Sequence, residues 1–317
     1  MKKIVIFGGG SGLSQLLKGI KLFPVEITAV VSVADNGGST GLLRRELKIP
    51  AVGDITKVML SMADTNQDVI DLMNYRFTKS KSLGIHSVKN LLLMALMDLK
   101  GNFASAMPVM EKLLDVKGNI LPLTEDNVNL VGITSSGKKV IGEHQLTKCA
   151  SKIVEVKYDK EITVNPKVIN AVKEADLIIF SSGSLLTSIV PHLIDKGLVD
   201  VINKAKGEKV YICNLFTQPG ETDGFTVKDH IDYLEKYLGK ESIDVVIANN
   251  EVISSDLAKK YRNEEQKDPV LLDMHELDES NIYVIKDKLF TIEDGWYRHD
   301  ALKTGYLLFS YLMDGRK

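Results

Sequence analysis

Ile4-Val5-Ile6-Phe7-Gly8-Gly9-Gly10-Ser11-Gly12-Leu13 is the stretch on which the fold class turns. Four consecutive apolar residues closed by glycines read as a short strand covered on both faces, as parallel strands are. Leu13, Leu16, Leu17 and Ile20 then recur at helical spacing, so the glycines join a strand to a helix N-terminus. A β-branched run over 27–33 closes on Ala34-Asp35-Asn36 and a second glycine turn, Gly37-Gly38-Ser39-Thr40-Gly41. The same rhythm returns at 177–180, 209–213 and 245–248. Strands alternating with helices predict an α/β, Rossmann-like, doubly wound and mainly parallel sheet with helices on both faces.

The middle of the chain departs from this rhythm. Residues 55–115 read as helical, and 128–134 and 139–141 flank Ser135-Ser136-Gly137-Lys138 as a hairpin, with a further strand at 152–156. The expectation is a single nucleotide-binding domain over 1–317 with an inserted helical and strand segment near 55–165. Thr226 and Asp229 have capping-box spacing at a helix start.

Composition excludes several classes. Of 317 residues, 40 are Lys or Arg and 42 are Asp or Glu, a formal charge of −2. That leaves no global basic field for nucleic acid. The longest apolar stretch, 91–97, is far below the ~18 residues of a membrane span, so no membrane insertion is expected. Cys149 and Cys213 belong to no metal-binding spacing, which fits a reducing cytoplasm.

The strand-end loops carry the chemistry. Backbone amides of Gly9, Gly10, Ser11 and Gly12 could approach a phosphate at the helix start. The strict dinucleotide fingerprint fails, because Leu13 stands at its third glycine. Asp35 closes the second strand, where a carboxylate can hold a ribose hydroxyl or a divalent cation such as Mg²⁺. Asn36, Ser39 and Thr40 add donors beside it. Gly183 and Ser184 repeat the strand-loop-helix logic as a second anion site. Asn214, Thr217 and Gln218 follow a later strand, and His86 stands just before Asn90. Tyr261 and Arg298 offer an aromatic and a cationic group suited to a base or a diphosphate.

Together, Gly8 to Gly12, the ADNGGSTG block at 34–41, Gly53-Asp54, the TQPGETDG block at 217–224 and Arg298-His299-Asp300 resemble the YvcK-type gluconeogenesis factors. These form a branch of the CofD-like superfamily, which includes 2-phospho-L-lactate transferases acting on a deazaflavin coenzyme. The resemblance runs in order from about residue 3 to residue 312. It implies a UDP-sugar ligand, with Gly10, Ser11 and Gly12 at the diphosphate and Asp35 and Asn36 facing the cleft. Asn214 would lie beside the ligand, with Tyr261 and Arg298 at its nucleotide end. His86 and Asn90 match a family GH…GN segment, with Lys89 in place of its glycine. Thr56-Lys57 replaces the usual Arg-Asn, Ser182 stands where proline precedes Gly-Ser-Leu, and Leu186 where an aromatic is common.

The resemblance and the lack of an acid/base or nucleophilic constellation favour a regulatory protein. It would be cytoplasmic, would bind UDP-N-acetylglucosamine or a similar UDP-sugar, and would link carbon metabolism to cell-wall synthesis and cell shape. The first alternative is a transferase moving a phospho-acyl group from a nucleotide diphosphate donor, with Asp35, joined by Asp54, holding Mg²⁺. Here Asn36 takes the place of that branch's second acidic residue. An NAD-dependent oxidoreductase, with a dinucleotide in the cleft, rests on fold analogy alone. A homo-oligomer is compatible with the sequence.

Overall fold

A computed structural model describes residues 1–47, 51–80, 83–149, 151–293 and 295–316. Its strands are β1 (Lys2–Gly8), β2 (Val25–Val31), β3 (Asn119–Pro122), β4 (Leu130–Thr134), β5 (Lys139–Ile141) and β6 (Ile153–Tyr158). They continue with β7 (Leu177–Phe180), β8 (Glu208–Ile212), β9 (Val245–Asn249), β10 (Tyr283–Asp287), β11 (Phe290–Glu293) and β12 (Trp296–His299). The main sheet has seven strands in the order β10-β9-β8-β7-β1-β2-β3. Every neighbouring pair in it is parallel. This is the doubly wound arrangement read from the first apolar run.

Apolar runs in the central strands serve two cores. Ile4 and Ile6 of β1 face one side of the sheet, and Val5 and Phe7 face the other, all at most 2% exposed. Leu177 and Ile179 alternate in the same way with Ile178 and Phe180. One face is covered by the helices Gly10–Ile20, Gly53–Met62 and Ala301–Asp314, the other by Pro166–Glu174, Lys196–Lys204 and Val227–Leu238. The capping box at Thr226 and Asp229 is formed.

Between β2 and β7 the chain runs through helices, adds β3 to the sheet edge and folds a separate antiparallel sheet, β5-β4-β6. The hairpin read at 135–138 joins β4 to β5.

The strand order reverses direction between β1 and β7. Ligands of open α/β sheets bind outside the carboxyl ends of strands at such a point. Here the two loops are pressed together: a Cβ on Gly12 would lie 1.9 Å from the Ser182 carbonyl oxygen. Gly10 has φ +55°, a region that costs other L-residues strain. Gly12→Ala must therefore push two backbones apart, and it should destabilise by roughly 1–3 kcal/mol. Thermal unfolding checks this: the midpoint should fall by several degrees, and an unchanged midpoint would show that the loops part freely.

Candidate ligand cleft

A cleft of about 590 Å³ opens across the carboxyl ends of β1, β7 and β8. Of the residues singled out in the sequence, Ser11, Gly12, Gly183, Asn214, Thr217, Gln218, Tyr261 and Arg298 line it. One wall is aromatic. Phe216 and Tyr261 stack with ring centroids 4.0 Å apart and planes within 9°. The Tyr261 hydroxyl donates to the Tyr297 carbonyl at 3.2 Å and accepts the Tyr297 N–H at 2.7 Å. That exchange ties β12 to the helix Ser255–Glu265 and sets Arg298 beside Tyr261.

Cations line much of the rest, together with the carboxylates of Glu265 and Glu293. Lys18, Lys57, Lys267 and Arg298 all border the cleft. Lys267 is paired with Glu265 at 2.5 Å, whereas Lys18, Lys57 and Arg298 have no ion pair among the described residues. Lys57 instead donates to Ser11 Oγ at 2.6 Å. His299, in the same wall, keeps both ring nitrogens buried without a partner among the described residues, and burial pulls it down to about 4, hence neutral at pH 7.

Other loop residues work by holding backbone. Asn214 accepts the Gly183 N–H at 2.7 Å and donates to the Gly183 carbonyl at 2.8 Å. Ser184 donates to the Glu221 carboxylate at 2.8 Å, and that carboxylate also accepts the Leu186 N–H at 2.9 Å. The second anion position read at Gly183 and Ser184 thus holds the chain's own carboxylate, which burial raises to about 7. Thr217 is bonded to the Asp268 backbone in both directions, at 2.8 and 3.0 Å.

A second group of loop residues lies behind Ser11. Asp54 stands in the first turn of the helix Gly53–Met62, against the first glycine loop: a Cβ on Gly9 would lie 3.1 Å from its Oδ2. Burial and the neighbouring Asp35 raise its carboxyl to about 6, against the pull of Lys57 and the Gly10 amide. Asp35 accepts the Gly37 N–H at 2.8 Å, and Asn36 accepts the His144 N–H at 3.1 Å. Glu143 joins this acidic side from the short helix Glu143–Thr147 that follows β5; burial, then Asp54 and Asp35, hold it well above the usual carboxylate range. Thr40 packs against Gly53, with its Oγ1 2.2 Å from where a Cβ would stand. Ser39 meets His86 Nδ1 at 2.9 Å and Asn90 at 3.2 Å, and Asn90 accepts from Thr56 at 2.8 Å. His86 and Asn90 are therefore buried behind Ser39, away from the cleft lining.

Sequence reasoning missed Arg44. Its guanidinium donates to the Asp35 carbonyl at 3.0 Å, Asn127 at 2.7 Å and the Val128 carbonyl at 2.6 Å. It ties the Asp35 turn to the inserted segment. No local pattern marks such a residue, because two of its partners, Asn127 and Val128, lie more than 80 positions away.

A doubly wound parallel sheet with a polar, aromatic-walled cleft at its switch point defines an α/β protein of the Rossmann-like class. The chain belongs to the CofD family: the family model described as 2-phospho-L-lactate transferase CofD matches residues 4–290. It is 42% identical over 313 residues to a protein of Bacillus subtilis named gluconeogenesis factor, covering 98% of each chain. A protein of the same name from Halalkalibacterium halodurans is 38% identical over 309 residues, covering 95% of this chain and 94% of that one. The crystal structure of a UPF0052-family protein from Bacillus halodurans superposes with a TM-score of 0.92 at 37% identity, over 97% of this chain and 99% of that one.

Asp54 gives a signed prediction. Its folded value, about 6, lies above the ordinary 3.8, so the folded state holds the proton more tightly. This group's contribution to stability falls as pH rises from about 4 to about 6 and stays low above that. Asp54→Asn should therefore raise stability at pH 8 by on the order of 2 kcal/mol and leave it little changed at pH 4. Chemical denaturation at the two pH values reads this directly, and equal effects at both would show that Asp54 is not under charge strain.

Proposed function

We propose that this protein is a gluconeogenesis factor: a cytoplasmic regulatory protein whose cleft binds a UDP-sugar such as UDP-N-acetylglucosamine. In this reading it couples carbon metabolism to cell-wall synthesis and cell shape. The names of its relatives support the first part. The observation that carries the ligand class is the set of three cations without ion pairs among the described residues, Lys18, Lys57 and Arg298, around Ser11 and Gly12 and next to the Phe216–Tyr261 stack. A diphosphate would take the cations and the Ser11 and Gly12 backbone, while a flat base would lie toward the aromatic wall. Arg298 suits the task because its planar fork can bind two phosphate oxygens at once.

The acidic side favours a second reading, transfer of a phospho-acyl group from a nucleotide diphosphate donor. Asp54 lies next to the glycine loop with Asp35 behind it near Gly53, where a divalent cation would neutralise charge on a diphosphate. Among the described residues no three His, Cys, Asp or Glu side chains converge as a metal site. Asp35 or Asp54 would thus supply a ligand or two and leave the remainder to phosphate oxygens and water, as Mg²⁺ commonly accepts. Product formed from a deazaflavin acceptor and a phospho-acyl nucleotide donor would establish this second reading over the first.

Isothermal titration with UDP-N-acetylglucosamine should give saturable heat below ~1 mM, and Arg298→Ala should weaken binding by roughly tenfold or more. Arg298 is exposed, so its thermal midpoint should stay within about a degree of the parent's. No saturable heat from the parent protein at millimolar ligand would end the sensor reading.

A further inference from the structure

A pocket of about 360 Å³ lies at the β3 edge of the main sheet and shares no described residue with the ligand cleft. Its floor is formed by β1, β2 and β3, and its sides by the helices Phe103–Leu113 and Pro166–Glu174. Its volume falls among those of small-molecule sites, roughly 300–1,000 Å³.

One buried hydroxyl faces this space. Val30 of β2 packs into the core on the side of Pro166–Glu174, so Thr28, two residues earlier, points to the same face. Thr28 lines the pocket, is 8% exposed, and has no side-chain hydrogen bond among the described residues. A hydroxyl this deeply buried costs stability until it is bonded, and a ligand in the pocket would bond it.

The charge around Thr28 is one-sided. Lys3 is taken by Glu174 at 2.7 Å. Three further carboxylates, Glu26, Glu111 and Glu125, have no ion pair among the described residues. Against them the described lining sets a single further ammonium, Lys167. Burial pushes the Glu111 carboxyl up, although Lys167 and the Ile120 amide pull it down.

These carboxylates are strung out along the sheet edge. Glu26 precedes the Thr28–Asn119 pair and Glu125 follows β3, whose four residues alone cover about 10 Å. Among the described residues no three acidic side chains converge as a metal site. Met107, Pro108, Leu121 and Ala171 add apolar wall to the same pocket. Separated carboxylates along an apolar wall match ammonium groups separated by methylenes. An ammonium only donates hydrogen bonds, so it suits carboxylates and the oxygen of Thr28 alike.

We propose that this pocket binds a linear aliphatic polyamine. Its ammonium groups would meet Glu26, Glu111 and Glu125, one N–H would reach the Thr28 hydroxyl, and its methylenes would lie along the apolar wall. This site is independent of any nucleotide in the cleft.

The probe is spermidine, titrated at constant ionic strength into the full chain with carbon-13 in its methionine methyls. Butylamine supplies a single charge on a chain, and Mg²⁺ supplies charge without a chain. Met107 lines the pocket and is the local reporter, its signal assigned with Met107→Leu. Spermidine should move the Met107 signal saturably below ~1 mM and bind roughly tenfold more tightly than butylamine. Mg²⁺ should leave the signal in place. Glu26→Gln combined with Glu125→Gln should weaken spermidine by about tenfold, and Thr28→Val by about threefold. If Thr28→Val does not fold, the two rim substitutions, at partly and fully exposed positions, carry the test. Saturable binding that leaves Met107 unmoved would place spermidine elsewhere and overturn the proposal. So would an equal response to Mg²⁺, an affinity unchanged in the rim variant, or no saturable shift up to about 10 mM.

Discussion

The backbone of Gly12 lies so close to the Ser182 carbonyl that even a methyl group has no place between them. That contact fastens the loop after β1 to the loop after β7 where the sheet changes its winding direction. Asn214, at the end of β8, extends the fastening by holding both backbone groups of Gly183. Three strand ends thus become one surface, and the cleft floor is built of backbone whose position the parallel sheet dictates. Side chains on such a floor can be aimed without first being ordered, which lowers the cost of binding.

The same geometry explains how the amide-rich ends are used. A helix start attracts anions, yet two of them here are met by the chain's own carboxylates. Glu221 takes the hydroxyl of Ser184 and the amide of Leu186, and Asp54 lies against Gly9 and Gly10. An incoming anion is therefore met mainly by side-chain cations. Acids gather around Gly9 and Gly10, cations around Ser11 and Gly12, and the net charge of −2 conceals the division. Association with an anionic ligand should depend on this local arrangement and weaken with salt, although the molecule as a whole is nearly neutral.

What the sequence reveals follows from how local each signal is. Strands β1, β2, β7, β8 and β9 are legible because burial on both faces demands an unbroken apolar run. β3 is four residues long and ends in proline at the sheet edge, and β10 is only half-buried, so neither announces itself. In the cleft, Ser11, Gly12, Asn214, Thr217, Gln218, Tyr261 and Arg298 are legible because strand ends and glycine loops are local features. Roles that depend on distant partners are not. Ser184 looks like a ligand contact until Glu221, 37 positions away, takes its hydroxyl. Lys57 appears in the sequence only as a departure from a family pattern, and its hydrogen bond to Ser11 needs the packing of a helix against the first loop. Glu143 arrives on the short helix that follows β5 in the inserted segment, which no spacing in the first loops could indicate.

The acidic side also decides in what ionic form a ligand can enter. Burial and Asp35 hold the Asp54 carboxyl up at about 6. A bare nucleotide diphosphate placed beside it would raise that value, so binding would take up a proton and strengthen as pH falls through about 6. A diphosphate that arrives with Mg²⁺ reverses the sign: the cation stabilises the ionised carboxylate, a proton is released, and binding strengthens as pH rises toward the same value. Affinities measured at pH 5 and pH 7.5, with and without Mg²⁺, therefore separate a ligand held by Lys57 and Arg298 alone from one that also engages Asp35 and Asp54. Asp54→Asn should abolish either slope. A pH dependence that survives in this variant would move the responsible proton to Glu143 or Glu221, whose carboxyls are raised as well.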